Sequence, residues 1–222
     1  NAGVFMQNIL LNNNLIPVNN IFCIARSYAE NLEELGKVRN SSPVVFLKPK
    51  SALHFGDSPV KLPHNSNEIY YEAELVIVLG KGGKNLSSKE ALDCIAGYSI
   101  GLDLTAKDWQ TDARKQGLPW ALAKGFDGSA CVIREFIPVG KFPDPTKITF
   151  DMYLNGQLRQ HGDTSFLLYS LADIISFLSH YFTLECGDLI YTGTPPGAGL
   201  LSANDRISLH LGEQCGEFLM AC

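Results

Sequence analysis

The sequence has no Cys-x-x-C pair. Its six cysteines (Cys23, Cys94, Cys131, Cys186, Cys215 and Cys222) stand singly. A chain of 222 residues can bury a sizeable core without a disulfide or zinc staple. The cysteines therefore read as reduced, mostly buried thiols of a cytoplasmic protein. No apolar run is long enough to span a bilayer, since the longest, Phe166 to Leu178, is cut by Asp173. No signal-peptide pattern opens the chain, and no membrane association is expected. Positive charge is also in short supply. With 18 Lys and Arg against 23 Asp and Glu, the net charge is −5, which argues against a nucleic-acid partner. Internal repeats, low-complexity segments and linkers are absent, so one domain over residues 1–222 is expected, with its core at about 21–211. What remains is an ordinary globular composition, 45% hydrophobic and 18% charged.

One stretch organises the rest. Residues 69–80 (IYYEAELVIVLG) read as a single strand: two tyrosines, a β-branched apolar run, then a glycine. Glu72 and Glu74 sit inside it one residue apart. Side chains alternate along a strand, so both point to the same face. Two like charges side by side disfavour each other's ionisation, and a divalent cation relieves that repulsion.

Around this stretch the pattern is mainly extended. Apolar runs at 21–24, 44–47, 97–103, 188–191 and 205–211 read as strands. Asn155-Gly156 between the extended runs 148–154 and 157–161 signals a type I′ hairpin, because both turn positions require positive φ. Ser170 to Tyr181 predicts a helix, capped by Ser170 and Asp173, with Leu171, Ile174, Ile175 and Leu178 on one face. A second capped helix is expected from Ser87 to about Ile95. A weakly anchored acidic one is expected from Ser27 to Leu35, and a short helical turn at 105–110. Residues 54–68 read as loop. Strands outnumber helices without regular alternation, which predicts an α+β fold with a mostly β core.

Asp103 ends the 97–103 strand and completes a set of three carboxylates with Glu72 and Glu74. With no histidine or cysteine in the set, a hard cation such as Mg2+, Mn2+ or Ca2+ is favoured over zinc. Lys48, Lys107, Lys124 and Gln110 lie near in sequence or at similar strand ends. A hard cation beside several lysines suits an anionic, oxygen-rich ligand such as a keto acid. The segment Thr192 to Gly199 (TGTPPGAG) could offer backbone N–H groups to an anion, although no Gly-Lys-Ser/Thr follows to make it a phosphate loop.

Six ordered segments then carry a resemblance: 46–49 (FLKP), 71–75 (YEAEL), 101–110 (GLDLTAKDWQ), 123–127 (AKGFD), 154–156 (LNG) and 192–195 (TGTP). From about Ile21 to Leu211 the chain resembles the fumarylacetoacetate hydrolase family in its compact single-domain form. The resemblance implies a mixed β-sandwich roll, assembled as a homodimer. It implies a Mg2+ or Mn2+ ion on Glu72, Glu74 and Asp103, with Lys124 contacting the substrate's oxygens. Gln110, Lys48, Lys107 and the Gly193-Thr194 turn would be on the substrate side, with Thr194 at the substrate's carboxylate end. It implies a small anionic keto-acid substrate and chemistry through a metal-bound enolate. The expected reaction is hydrolysis of a C–C bond in an acylpyruvate-like β-diketo acid. The alternative is tautomerisation, isomerisation or decarboxylation of a 2-keto acid such as oxaloacetate.

Two positions depart from the family pattern. The family's flap pairs a histidine with a glutamate three residues later, and here those positions hold Asn31 and Glu34. Asparagine can orient a water or an enol but cannot take up a proton near neutral pH. Glu34 is then left as the base, with the loop histidines His54 and His64 as the alternative. A chain that kept the metal and anion site but lost catalysis is the alternative of another class. Lys107 stands where arginine is common, which keeps the charge and loses the bidentate fork.

Overall fold

The computed structural model describes residues 7–29 and 42–221. It begins with a hairpin, β1 (Asn8–Leu11) and β2 (Asn14–Pro17), closed by Asn12 and Asn13 at φ 51° and 62°. Next come β3 (Ile21–Ala25), β4 (Val44–Lys48), and the two-residue strands β5 (Leu53–His54) and β6 (Val60–Lys61). The organising stretch follows as β7 (Ile69–Tyr71) and β8 (Ala73–Leu79). After α1 (Ser88–Leu92) come β9 (Ile95–Asp103), β10 (Thr105–Ala106), α2 (Lys107–Gln116) and α3 (Ala121–Lys124). The chain continues through β11 (Ala130–Val132), β12 (Glu135–Pro138), the hairpin β13 (Thr149–Leu154) and β14 (Gln157–Asp163), and α4 (Leu171–Tyr181). It closes with β15 (Leu189–Tyr191), β16 (Gly199–Leu200), β17 (Arg206–Leu211) and β18 (Gln214–Ala221).

Ten strands form one mixed sheet in the order β2-β1-β12-β9-β8-β15-β3-β4, with β11 on β9 and β5 on β11. A five-stranded sheet, β14-β13-β17-β18-β6, packs on it, and a small sheet β10-β7-β16 bridges the side. This is the expected α+β, mostly β architecture of a sandwich roll. The packing explains why β8 beyond Glu74 reads as an unbroken apolar run rather than an alternating one. Ala73, Leu75, Ile77 and Leu79 join the large core that holds Phe150, Leu209 and the apolar face of α4. Val76 and Val78 face a second core with Cys23, Val132 and Tyr191. A strand buried on both faces has no polar side to show.

Local signals read from the sequence appear where expected. Asn155 and Gly156 turn the β13–β14 hairpin at φ 51° and 80°. Ser170 and Asp173 form a capping box on α4, as Ser87 and Glu90 do on α1.

Five expectations are corrected. The 54–68 stretch, expected as loop, contains β6 at Val60–Lys61, extended because it pairs with β18. The 69–80 strand is broken at Glu72, where the chain leaves the small sheet and enters the large one. Helix α1 ends at Leu92, because Ile95 already begins β9. The turn expected at 105–110 is a two-residue strand followed by a ten-residue helix, ended by Gly117 in the left-handed conformation. Ser27 to Ala29 are not helical: Tyr28 bridges Leu167, and the main chain of 27–29 bonds to Phe166 and Leu168. The remainder of that expected helix, with Asn31 and Glu34, lies outside the described residues.

Candidate active site

Strand register assembles the carboxylates. β8 and β9 pair antiparallel with Glu74 opposite Gly101, and the Asp103 N–H donates to the Glu72 carbonyl at 2.8 Å. Directly opposite residues share a face, as do residues two apart on one strand. Glu72, Glu74 and Asp103 therefore converge, and each offers an oxygen within 4.8 Å of the others. Glu74 and Asp103 are 2% and 1% exposed, so the set is not a solvated sheet face.

Two buried lysines close on the set. Lys124, at the end of α3, donates to Glu72 Oε2 at 2.8 Å, Asp103 Oδ2 at 2.5 Å and Thr105 Oγ1 at 2.6 Å. Lys48, at the end of β4, pairs with Asp103 Oδ1 at 2.7 Å and donates to the carbonyls of Leu104 and Lys124. An ammonium has three N–H donors, so Lys124 is fully committed to the protein, while Lys48 spends two on carbonyls and pairs with Asp103 by charge. Lys107 is different. It is partly exposed, 3.9 Å from Glu72 Oε1 and 5.7 Å from the centre of the Tyr70 ring.

The electrostatics follow from burial and count. Burial pushes the Glu74 carboxyl well above its ordinary pKa, and the charges of Asp103 and Glu72 push it further. Burial also raises Glu72, against the pull of Lys124. Burial would raise Asp103 too, but the ammonium groups of Lys124 and Lys48 outweigh it and hold this carboxyl below the usual range. For Lys124, burial disfavours the charge, yet Asp103 and Glu72 prevail and lift its pKa. Three carboxylates thus share two buried ammonium groups. An all-oxygen donor set with negative charge in excess fits a hard divalent cation, and Glu72, Glu74 and Asp103 could hold one.

The Gly193-Thr194 turn sits against the same set. The Gly193 N–H donates to Glu74 Oε2 at 2.8 Å, and the Thr194 hydroxyl donates to the Ala73 carbonyl at 2.8 Å. Gly193 has φ +99°, and a Cβ there would meet Ser27 Oγ at 1.8 Å, so glycine is required. Gln110 is buried on α2, and its Oε1 has no partner among the described residues. The structure thus brings Glu72, Glu74, Asp103, Lys48, Lys124, Gly193 and Thr194 together, with Lys107 at the edge.

Sequence reading missed three participants. Thr105 accepts from Lys124, Ser27 fastens the turn by donating to the Thr192 carbonyl at 2.5 Å, and Gln160 joins the turn to β8. Only Gln160 leaves a signal, as a polar residue at an inward position beside the Asn-Gly hairpin. The histidines that hydrogen-bond do so elsewhere: His54 accepts from the Gly56 N–H, His161 pairs with Asp151, and His210 meets Ser208 and Cys215.

Comparison with known proteins agrees with this geometry. Residues 20–219 match the family described as fumarylacetoacetate (FAA) hydrolase C-terminal. The mitochondrial oxaloacetate tautomerase of Bos taurus is 44% identical over 188 residues, 85% of this chain and 85% of that protein. The oxaloacetate tautomerase of Escherichia coli is 35% identical over 194 residues, 87% of this chain and 88% of that one. Among solved structures, fumarylpyruvate hydrolase from Pseudomonas aeruginosa, in complex with Mn2+ and pyruvate, superposes with a TM-score of 0.87. It is 30% identical, covering 97% of this chain and 95% of that one. A match running almost from end to end, with relatives this similar along most of their length, makes the chain a member of the fumarylacetoacetate hydrolase family.

Proposed function

We propose that this chain is a divalent-metal-dependent enzyme that interconverts the enol and keto forms of a small 2-keto dicarboxylate, oxaloacetate foremost. The observation that carries the reading is the buried triad, three carboxylates matched by only two buried ammonium groups. The choice of reaction is supported by the 44% identity to an oxaloacetate tautomerase.

Glu72, Glu74 and Asp103 would hold Mg2+ or Mn2+, which when bound supplies a Lewis acid for the substrate's keto oxygen. Lys124 bridges Glu72 and Asp103, and its positive charge favours the oxyanion that develops next to them. We assign Lys48 to holding Asp103 and the end of α3 rather than to touching substrate, because it is buried against them, paired with Asp103 and donating to the Leu104 and Lys124 carbonyls. Lys107, partly exposed, meets a substrate carboxylate as a point charge, and Gln110 offers its unpaired amide oxygen to a hydroxyl. The Gly193-Thr194 turn receives the far carboxylate.

Enol–keto exchange moves one proton between carbon and oxygen and needs no attacking water. Glu34 as the proton carrier and Asn31 as a hydrogen-bonding partner suffice for it, whereas histidine-assisted hydrolysis has lost its base. Hydrolysis of an acylpyruvate is the second reading, favoured by the likeness to fumarylpyruvate hydrolase.

The test measures oxaloacetate enol–keto exchange and acetylpyruvate cleavage side by side, with Mg2+ and with chelator. The expected result is metal-dependent exchange and little cleavage. Faster cleavage selects the second reading. No rate above background in either assay, with cleavage appearing only after Asn31→His, identifies a non-catalytic binder and overturns both.

A further inference from the structure

Gln160 joins the two halves of the site. The β13–β14 ladder slips by one residue between Met152 and Tyr153: Met152 pairs with Gln160, but Tyr153 pairs with Leu158. Arg159 is the extra residue, a bulge, and bulges re-aim the side chains beside them. The result is a strand exposed at Gln157, Leu158 and Arg159 that abruptly turns Gln160 inward, to 1% exposure.

There both N–H donors of the amide and one lone pair of its oxygen are used. Gln160 Oε1 accepts from the Ala73 N–H at 2.9 Å. Gln160 Nε2 donates to Thr194 Oγ1 at 2.8 Å and to the Pro195 carbonyl at 2.9 Å. Thr194 Oγ1 in turn donates its single proton to the Ala73 carbonyl. Ala73 lies between Glu72 and Glu74, so one side chain ties the peptide between two carboxylates of the triad to the turn above them. The hairpin comes close enough for this because Gly197, at φ +106°, has no Cβ, which would meet the Arg159 carbonyl at 2.4 Å.

The network also fixes what Thr194 can offer. Its hydroxyl proton is taken by Ala73, and its main-chain N–H makes no bond among the described residues. We propose that Gln160 is a positioning residue that sets the distance between the carboxylate triad and the Thr194 turn, so that Thr194 receives the substrate's anionic end through its main-chain N–H. This rests on the proposed keto-acid reading for the nature of the anion, not for the link itself.

Gln160→Met keeps the length of the side chain and removes all three bonds. Thr194→Val cuts the same link from its other end, and Thr194→Ser keeps it. The KM for oxaloacetate should rise about tenfold in Gln160→Met and in Thr194→Val, with kcat within about threefold, while Thr194→Ser, which keeps the hydroxyl bonds, should recover at least about threefold of the loss seen in Thr194→Val. The double variant should be no worse than the worse single one, because both cut one connection. Oxalate affinity in the presence of Mn2+, read by calorimetry, should fall by the same factor as KM rises, and Mn2+ affinity alone should hold within about threefold. If the parent does not turn over oxaloacetate, the function reading fails while the oxalate measurement still decides the link. If Gln160→Met does not fold, the Thr194→Val and Thr194→Ser pair carries the test. Unchanged oxalate affinity in the folded link-cutting variants, or additive effects in the double variant, would overturn the proposal.

Discussion

Lys124 balances the site's charge. It is 3% exposed and touches both Glu72 and Asp103, so its charge works against burial to favour the ionised form of each. Removing one partner of a buried ion pair costs roughly 3–5 kcal/mol, since the other is left uncompensated. Lys124→Met should therefore lower the melting temperature in chelator by roughly 6–20 °C, taking about 2–4 °C per kcal/mol for a chain of this size. Adding Mg2+ should recover most of that loss, because a cation on the triad replaces the missing charge. Oxaloacetate exchange should stay at least about a hundredfold down with Mg2+ present, because the ammonium beside the reacting oxygen is still missing. A melting temperature that does not move would mean that the triad holds itself without the lysine. The sequence allowed Lys124 to be picked out as a cation beside glycine, but not its burial. Lysine is almost never fully buried unless paired, and the pairs here come from positions 52 and 21 residues away.

Helix α2 shows the same division at the scale of an element. Its sequence, KDWQTDARKQ, has almost no apolar stripe, and Gln110 is its one buried residue. Periodicity therefore revealed only a short turn there. What holds the start of the helix is Asp108, which accepts from Ser66 Oγ at 2.7 Å and the Asn67 N–H at 3.0 Å, fastening the loop beneath. Burial would raise this carboxyl, but bonds from Ser66, Asn67 and Trp109 outweigh it and hold it below the usual range. A depressed carboxyl stabilises the fold above its unfolded pKa, about 3.9 for aspartate, and loses that contribution as pH falls through the folded value. Asp108→Asn should cost about 1 kcal/mol at pH 7. The gap to the parent in urea unfolding should close steadily below about pH 4. A gap of constant size down to pH 2.5 would show that charge at Asp108 is irrelevant. Elements with local signals were legible: the Asn155-Gly156 hairpin and the Ser170 capping box depend on neighbours within three residues. β12 and β18 were not, because polar-faced strands such as EFIP and QCGEFLMA are extended only by the partners they pair with. The break at Glu72 was hidden for a related reason. Nothing local tells a strand that it changes sheet.

At the scale of the whole molecule, the triad is a by-product of how the large sheet is stitched. Glu72 and Glu74 come from the corner where the chain passes between sheets, and Asp103 from the end of the neighbouring strand. Lys48 comes from the far edge strand β4, Lys124 from the end of α3, and the Gly193 N–H from the loop after β15. Five chain segments, spread over about two thirds of the sequence, meet at one cluster of buried charge. The carboxylates could be read from strand period alone, whereas the convergence of β4, α3 and the 193–194 turn is tertiary and left no pattern in the sequence. Such a cluster is strained electrostatically, with burial and mutual repulsion acting against Glu74 in particular. A ligand that binds only the folded chain stabilises it by RT ln(1 + [L]/Kd), about 2.7 kcal/mol at a hundred times Kd. Saturating Mn2+ or Mg2+ should therefore raise the melting temperature by roughly 5–11 °C over chelator. Because all five segments meet there, the gain should appear as one cooperative transition rather than as the late melting of a single sheet. Glu74→Gln should behave in the opposite sense on the two axes. Without metal it should melt at or above the parent, since a repelled buried charge has been removed, and with metal it should gain little. If it melts lower than the parent in chelator and still gains the full increment from Mn2+, the cation is not held by this triad, and the proposed centre lies elsewhere in the molecule.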